Sequence, residues 1–148
     1  MQNHYNLIYR EEEREMIPIC KEEGIAVIPW SPLARGFLTG KYKRREAPKT
    51  PRYETDRYLA ERYFKPEDFD VLETVEALAK QKGATPAQIA LAWLLHKGVT
   101  SPIIGATMVE HIEEAVDAAD IKLDADDITR LEAGYRPHQL ALPELLLR

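Results

Sequence analysis

The stretch GIAVIPWSPLARGFLTGKY, residues 24–42, decides the fold. Its first part, IAVIPW at 25–30, is a short continuous apolar run rich in β-branched residues, the pattern of a strand buried on both faces. Strands of that kind belong to parallel sheets, in which helices carry the chain back across the sheet. The second part changes character at once: Pro32, Gly36 and Gly40 punctuate it, and Arg35 and Lys41 bring cations to the point where the strand ends. A permissive backbone with cations at a strand's C-terminal end is where α/β folds hold anionic ligands.

Working outward, EEEREMIPICKEE (11–23) places acids first and a lysine late, the order that suits a helix dipole, with Pro18 expected to kink the helix and Gly24 to stop it. MQNHYN at the start predicts a strand. Residues 31–65 show no period, and loops of that length in compact domains are functional or disordered. DFDVLETVEALAKQKG (68–83) spaces Phe69, Leu72, Val75, Leu78 and Ala79 by threes and fours, an amphipathic helix closed by Gly83. Thr85 is the expected N-cap of a second helix that opens on Pro86 and ends at Gly98. VTSPIIG (99–105) predicts another buried strand, followed by a Gly105-Ala106-Thr107 turn and a helix from about Val109. A last helix follows Asp124, and Leu145, Leu146 and Leu147 form an apolar cluster in the tail.

The order β, α, β, long loop, α, α, β, α, α is the signature of parallel βα units. Three strands close no barrel and fill no doubly wound sheet, so the expectation is part of a larger fold. A chain of 148 residues holds one domain. With 25 acidic against 20 basic residues and a net charge of -5, a broad nucleic-acid surface is not expected and any anion site is local. The single cysteine, Cys20, excludes an intrachain disulfide and a thiolate cluster; it suits a reducing cytoplasm and reads as a small core residue. No apolar run approaches the roughly 20 residues that span a bilayer. His4, His96, His111 and His138 lack zinc spacing, so no metal site is expected.

Two places can carry chemistry. PIIGATMVEHIEEA (102–115) runs from a strand through a glycine turn into a helix N-terminus, with His111 one turn in; it is either an anion-binding turn or a plain βα turn capped by Thr107. Trp30, at the end of its strand, either offers a flat π-face to a planar ring or is core. KRRE at 43–46 reads as a solvated charge run.

QNHYNLIYR, GIAVIPWSPLARGFLTGKY, TPAQIALAWLL, SPIIGAT and DDITRLEAGYRPH together resemble, in order and spacing, the C-terminal half of an aldo-keto reductase, and more narrowly the bacterial members related to potassium-channel β-subunits. The resemblance covers nearly all of residues 1–138. It implies that residues 1–148 are about the last three strands, with their helices, of a (β/α)8 TIM barrel, incomplete as a barrel, and that NADP(H) lies across its strand ends. It implies that Gln2 meets the nicotinamide carboxamide and Trp30 stacks on its ring. It implies that Ser31, Leu33, Arg35 and Gly36 line the pyrophosphate, and that Lys41 and Arg52 belong to a cofactor-covering loop at 31–65. Gly105 and Thr107 match the turn that receives the 2′-phosphate, and Glu114 matches an acid at the adenine. His111 stands where the family usually has Arg or Gln, and Ala115 where it usually has Asn, which weakens the expected preference for NADP over NAD.

The family's catalytic Asp, Tyr, Lys and His precede the matched segment, so no catalytic residue is assigned here. Two functions follow as expectations. One is the NADP(H)-binding portion of a reductase that turns aldehydes or ketones into alcohols. The other is a noncatalytic half-barrel that pairs with itself, with a missing N-terminal half, or with another protein.

Overall fold

The structure, a computed structural model, describes residues 1–46, 48, 50–56, 59 and 62–137, without the side chains of Pro51 and Arg52. Six α-helices lie among the described residues: α1 Met16–Glu22, α2 Pro51–Thr55, α3 Pro66–Lys82, α4 Pro86–His96, α5 Val109–Asp117 and α6 Ala125–Ala133. Single turns of 3₁₀ helix stand at Glu11–Glu13 and Ala118–Asp120, and a kinked one at Ala34–Thr39.

The sequence predicts three strands; the structure corrects this. Among the described residues the same three segments run parallel, but none forms a regular strand. Ile28 N donates to Met1 O and Trp30 N to Asn3 O, both at 2.9 Å; on the other side Thr100 N donates to Val27 O and Ile103 N to Pro29 O, both at 2.8 Å. The physical reason is in the sequence. In a parallel ladder, the residue two after Val27 donates back to its neighbour, and that residue is Pro29, which has no N–H. Pro102 removes a second donor from the outer segment.

Helix ends follow their residues. Gln88 N donates to Thr85 Oγ1 at 3.2 Å and Thr85 N to Gln88 Oε1 at 3.0 Å, so Thr85 caps α4 from both directions, with Pro86 first in the helix. Asp124 and Asp127 make the equivalent exchange at α6. α3 ends at Gly83, whose φ of 65° is the left-handed conformation a C-terminal turn requires. The helix predicted at 11–23 starts later, at Met16. Pro18 therefore falls in its first turn, where an N–H has no helical partner to lose, and causes no kink.

One core gathers Tyr5, Leu7 and Ile8 from the chain start, Phe69, Leu72, Val75 and Leu78 from α3, Ile89, Trp93 and Leu94 from α4, and Leu131 from α6. The long loop contributes as much as a helix would. Phe37, Leu38, Tyr42, Leu59 and Tyr63 are buried, and Phe37 meets Phe69 and Phe64 edge to face at 5.0 and 5.1 Å. Lys43 and Arg44, expected in a solvated run, are ion-paired to Glu76, Asp70 and Glu73 on α3. Cys20 is buried, as expected of a core residue.

Beside Trp93 lies a polar cluster. Arg10 sits over the Trp93 and Tyr135 rings and bonds Glu13 and Glu132 at 2.7 and 2.8 Å, while Trp93 Nε1 donates to Glu132 Oε1 at 2.9 Å. Burial acts to raise the Glu13 pKa, but hydrogen bonds from Arg10 and Tyr5 outweigh it and hold the carboxyl below its ordinary value. The tail from 138 onward, with His138 and Leu145–Leu147, lies outside the described residues.

Candidate cofactor site

At the C-terminal end of segment 25–30, Trp30 is half-buried and stacked on His4, ring centroids 4.1 Å apart and planes 12° apart. His4 stacks in turn on Tyr9 at 4.1 Å and 16°. The two readings of Trp30 thus merge: one face belongs to the protein's own ring stack, and the residue is not fully enclosed. Gln2 is exposed two residues before His4, on the face that period-two alternation assigns to both. His4 Nε2 and the Tyr63 hydroxyl are 2.7 Å apart. Asn6 Nδ2 donates to Ser31 O at 3.0 Å, and Asn6 Oδ1 accepts from Ile8 N at 3.0 Å.

The backbone after Trp30 is strained. Ser31, Ala34 and Arg35 have φ of 53°, 48° and 56°, left-handed values that cost side-chain-bearing residues about 1–3 kcal/mol each and cluster at ligand sites. The amides of Ala34 and Gly36 are spent inside the loop, on Ser31 O and Leu33 O at 2.9 Å. Lys41 lies against Gly36: a Cβ at that glycine, φ 90°, would stand 2.7 Å from Lys41 Nζ. The φ of 90° is what favours glycine at this position, and it leaves the Lys41 ammonium beside the turn. Arg35 Nη1 is 2.5 Å from Asp56 Oδ2, which orients the guanidinium and offsets part of its charge. Leu33 is half-buried in the same turn, and the Arg52 side chain lies outside the described residues.

The other expected site residues form a second group. His111 and Glu114, on α5, line an open groove of about 420 Å³ with Thr85, Gln88, Glu110, Glu113 and Asp117. Thr85 Oγ1 donates to Glu114 Oε1 at 2.5 Å. Gly105 and Thr107 are exposed in the turn before α5, outside that lining. Thr107 does not cap the helix: the N-cap position is Met108, with no side-chain bond. Both groups flank the start of α4, since Gly40 packs against Pro86 while Thr85 bonds Glu114.

As a fit test for a dinucleotide, the two ends differ. The first offers a flat ring, a strained turn, and the Lys41 ammonium beside that turn. These suit a planar ring joined to a pyrophosphate. The second sets four carboxylates around one histidine, which suits sugar hydroxyls and offers a 2′-phosphate little countercharge. Sequence reading missed His4, Asn6 and Tyr63. The signal for the first two was the polar alternation Gln2, His4, Asn6 in QNHYN.

Residues 1–136 match the family model described as Aldo/keto reductase family. The chain is 47% identical over 137 residues to a protein named as an aryl-alcohol dehydrogenase in Schizosaccharomyces pombe, covering 93% of this chain and 38% of that protein. It is 42% identical over 140 residues to versiconal hemiacetal acetate reductase of Aspergillus parasiticus, covering 93% and 40%. Among solved structures it resembles a thermostable aldo-keto reductase in complex with epalrestat, at TM-score 0.65 and 28% identity, covering 90% of this chain and 38% of that one. The chain thus spans about two fifths of the length of the relatives it matches. Both named relatives are fungal, and the narrower resemblance to bacterial members near channel β-subunits is not what these matches carry.

Proposed function

Because the chain belongs to the aldo/keto reductase family, we propose that it is the NADP(H)-binding portion of a barrel enzyme that reduces aldehydes or ketones to alcohols. The observation that carries the reading is the pairing of the stacked Trp30 face with the strained turn that holds Lys41 over Gly36. Gln2 and Trp30 hold the nicotinamide, and Ser31, Leu33, Arg35, Gly36 and Lys41 surround the pyrophosphate. Arg52 belongs to the covering loop at 31–65. Gly105, Thr107, His111 and Glu114 receive the adenosine end, where the surrounding carboxylates make a strong NADP preference unexpected. The bound nicotinamide supplies hydride; the residues of this chain orient it and give the pyrophosphate its countercharges. In the family a Tyr donates the proton to the carbonyl while a Lys and a His tune it, and this reading assigns none of the four catalytic residues to these 148. The names of the relatives favour aromatic alcohols and aldehydes as the substrate class.

A row of apolar side chains supports the incomplete-barrel part of this reading and keeps the second one in view. Ile25 and Ile103 on the paired segments, and Met108, Val109, Ile112 and Val116 along α5, are exposed. Exposed apolar rows mark association surfaces. The remaining strands of a barrel are the occupant this reading assigns to them; a second copy is the occupant under the noncatalytic reading. Cys20, buried and reduced, suits a cytoplasmic setting, and no helix among the described residues is long and apolar enough to cross a membrane.

The test is complementation. The chain is mixed with an N-terminal segment of a related reductase that carries the four catalytic residues, and NADPH oxidation is followed with an aromatic aldehyde. Turnover in the mixture alone is the expected result. A stable dimer of this chain that refuses the added segment would favour the noncatalytic reading.

A further inference from the structure

We propose that His4, Asn6 and Tyr63 form a positioning unit that sets the ring plane of Trp30 and ties it to both ends of the loop at 31–65. The cofactor part of this proposal rests on the reading above; the positioning itself does not.

Three elements that are distant in sequence meet here. His4 comes from the chain start, Ser31 opens the loop, and Tyr63 lies at its return. The imidazole of His4 is clasped between Tyr9 and Trp30, both at 4.1 Å, so the three rings share one orientation. What stops this stack from swivelling as a body is the bond from His4 Nε2 to Tyr63, 59 residues away and only 2% exposed.

The hydrogen-bond directions can be worked out from the donors. Ile8 N–H must meet an acceptor, which fixes Asn6 Oδ1 toward it. The amide NH₂ of Asn6 then faces Ser31 O at 3.0 Å and the Tyr63 oxygen at 3.4 Å. Tyr63, accepting from Asn6, has its one proton available for His4 Nε2. Burial raises the Tyr63 pKa, in keeping with a phenol that stays protonated. The proposed relay has His4 Nε2 accept from Tyr63, which assigns the ring's own proton to Nδ1. The same Asn6 amide braces the carbonyl of Ser31, the first strained residue after Trp30. A single relay thus holds the stacking ring, the turn beside it and the far end of the covering loop. Displacing that loop end would break the bond that orients the ring.

The test uses the full chain and three variants. Tyr63→Phe removes one oxygen, His4→Phe keeps a flat ring without the acceptor, and the third combines them. The readouts are the near-ultraviolet circular dichroism band of Trp30, identified by its loss in Trp30→Phe, and the affinity for NADPH. The expectation is that each single variant removes most of the Trp30 band and weakens NADPH about tenfold, roughly 1.4 kcal/mol. The double variant should be no worse than either single, because both delete one bond. Unchanged band and affinity in both singles, or additive losses in the double, would overturn the proposal. If the band falls but the parent binds no NADPH, the positioning unit stands and the cofactor reading fails. Nitrogen-15 NMR of the parent requires no variant to fold: His4 should be the Nδ1-protonated tautomer, and a proton on Nε2 would contradict the relay.

Discussion

The loop at 31–65 and the arm formed by residues 104–117 are proposed to receive opposite ends of one dinucleotide, yet they are built in opposite ways. Among its described residues the loop holds only a kinked 3₁₀ turn and the short α2, yet it is packed from within by Phe37, Leu38, Tyr42 and Tyr63 and pinned to the chain start through His4 and Asn6. The arm contains a well-formed helix, yet none of the nine residues of α5 is buried, and Val109 and Val116 are 65% and 66% exposed. Secondary structure is therefore a poor guide to which region is fixed. Burial of side chains is what holds a site in shape. The loop carries its own support, whereas the arm buries no residue of its helix among the described residues.

The sharpest way to break this contrast is a pair of truncations. Phe37→Ala removes a fully buried ring from the loop's cluster and should cost about 3–5 kcal/mol in urea unfolding. Ile112→Ala, on the exposed face of α5, should change stability by less than about 0.5 kcal/mol. Equal costs would mean that the arm is packed after all.

Ligand binding sharpens the contrast next. Lys41→Met should weaken NADPH by about 1.5–3 kcal/mol, the range for a hydrogen bond to a charged group. His111→Arg should improve NADPH relative to NADH by about tenfold, by adding a permanent cation among the groove's carboxylates. Fluorescence titration of both cofactors checks the two together. A variant at Lys41 that binds like the parent would remove the pyrophosphate assignment.

Thr85 lies between the regions, capping α4 and bonding Glu114. Thr85→Ala should cost about 1 kcal/mol, the usual size of a lost N-cap, read from the thermal midpoint. The smallest effect is on pH. Glu13 and Asp127 are held below ordinary carboxylate values, each against the opposing influence of burial, by Arg10 and Tyr5 and by Lys82 and the Asp124 backbone. A depressed folded pKa contributes stability that is complete above the unfolded value of about 4 and is lost as pH falls through the folded one. The thermal midpoint should be flat from neutrality to about pH 5 and fall below it. Arg10→Met should flatten part of that acid limb.

Helix positions were legible because their signals are local: Thr85 with Pro86, Asp124 with its acids, and Gly83 at a stop all act within one turn. The extended segments at 25–30 and 99–105 were legible from their apolar runs. Their failure to form regular strands was also written there, in Pro29 and Pro102, because a missing N–H breaks a ladder whatever the hydrophobic pattern says. Pro18 misled because its effect depends on where the helix begins, which neighbouring residues alone do not decide. The packing of the loop was not legible. Phe37 finds Phe69, and His4 finds Tyr63, across separations that no periodicity spans. Trp30, Arg35 and Lys41 were legible as candidates from their place at a strand's end, whereas the role of Gln2 and the order of the cofactor's parts came from resemblance to the family.

The most direct test of the central claim is isothermal calorimetry of NADPH with the folded chain and with Trp30→Ala. The account predicts saturable binding below millimolar concentration, weakened about tenfold or more by the substitution, in line with the loss of a stacking face. A folded chain with no saturable binding at millimolar NADPH, or one that binds equally well without Trp30, would contradict it.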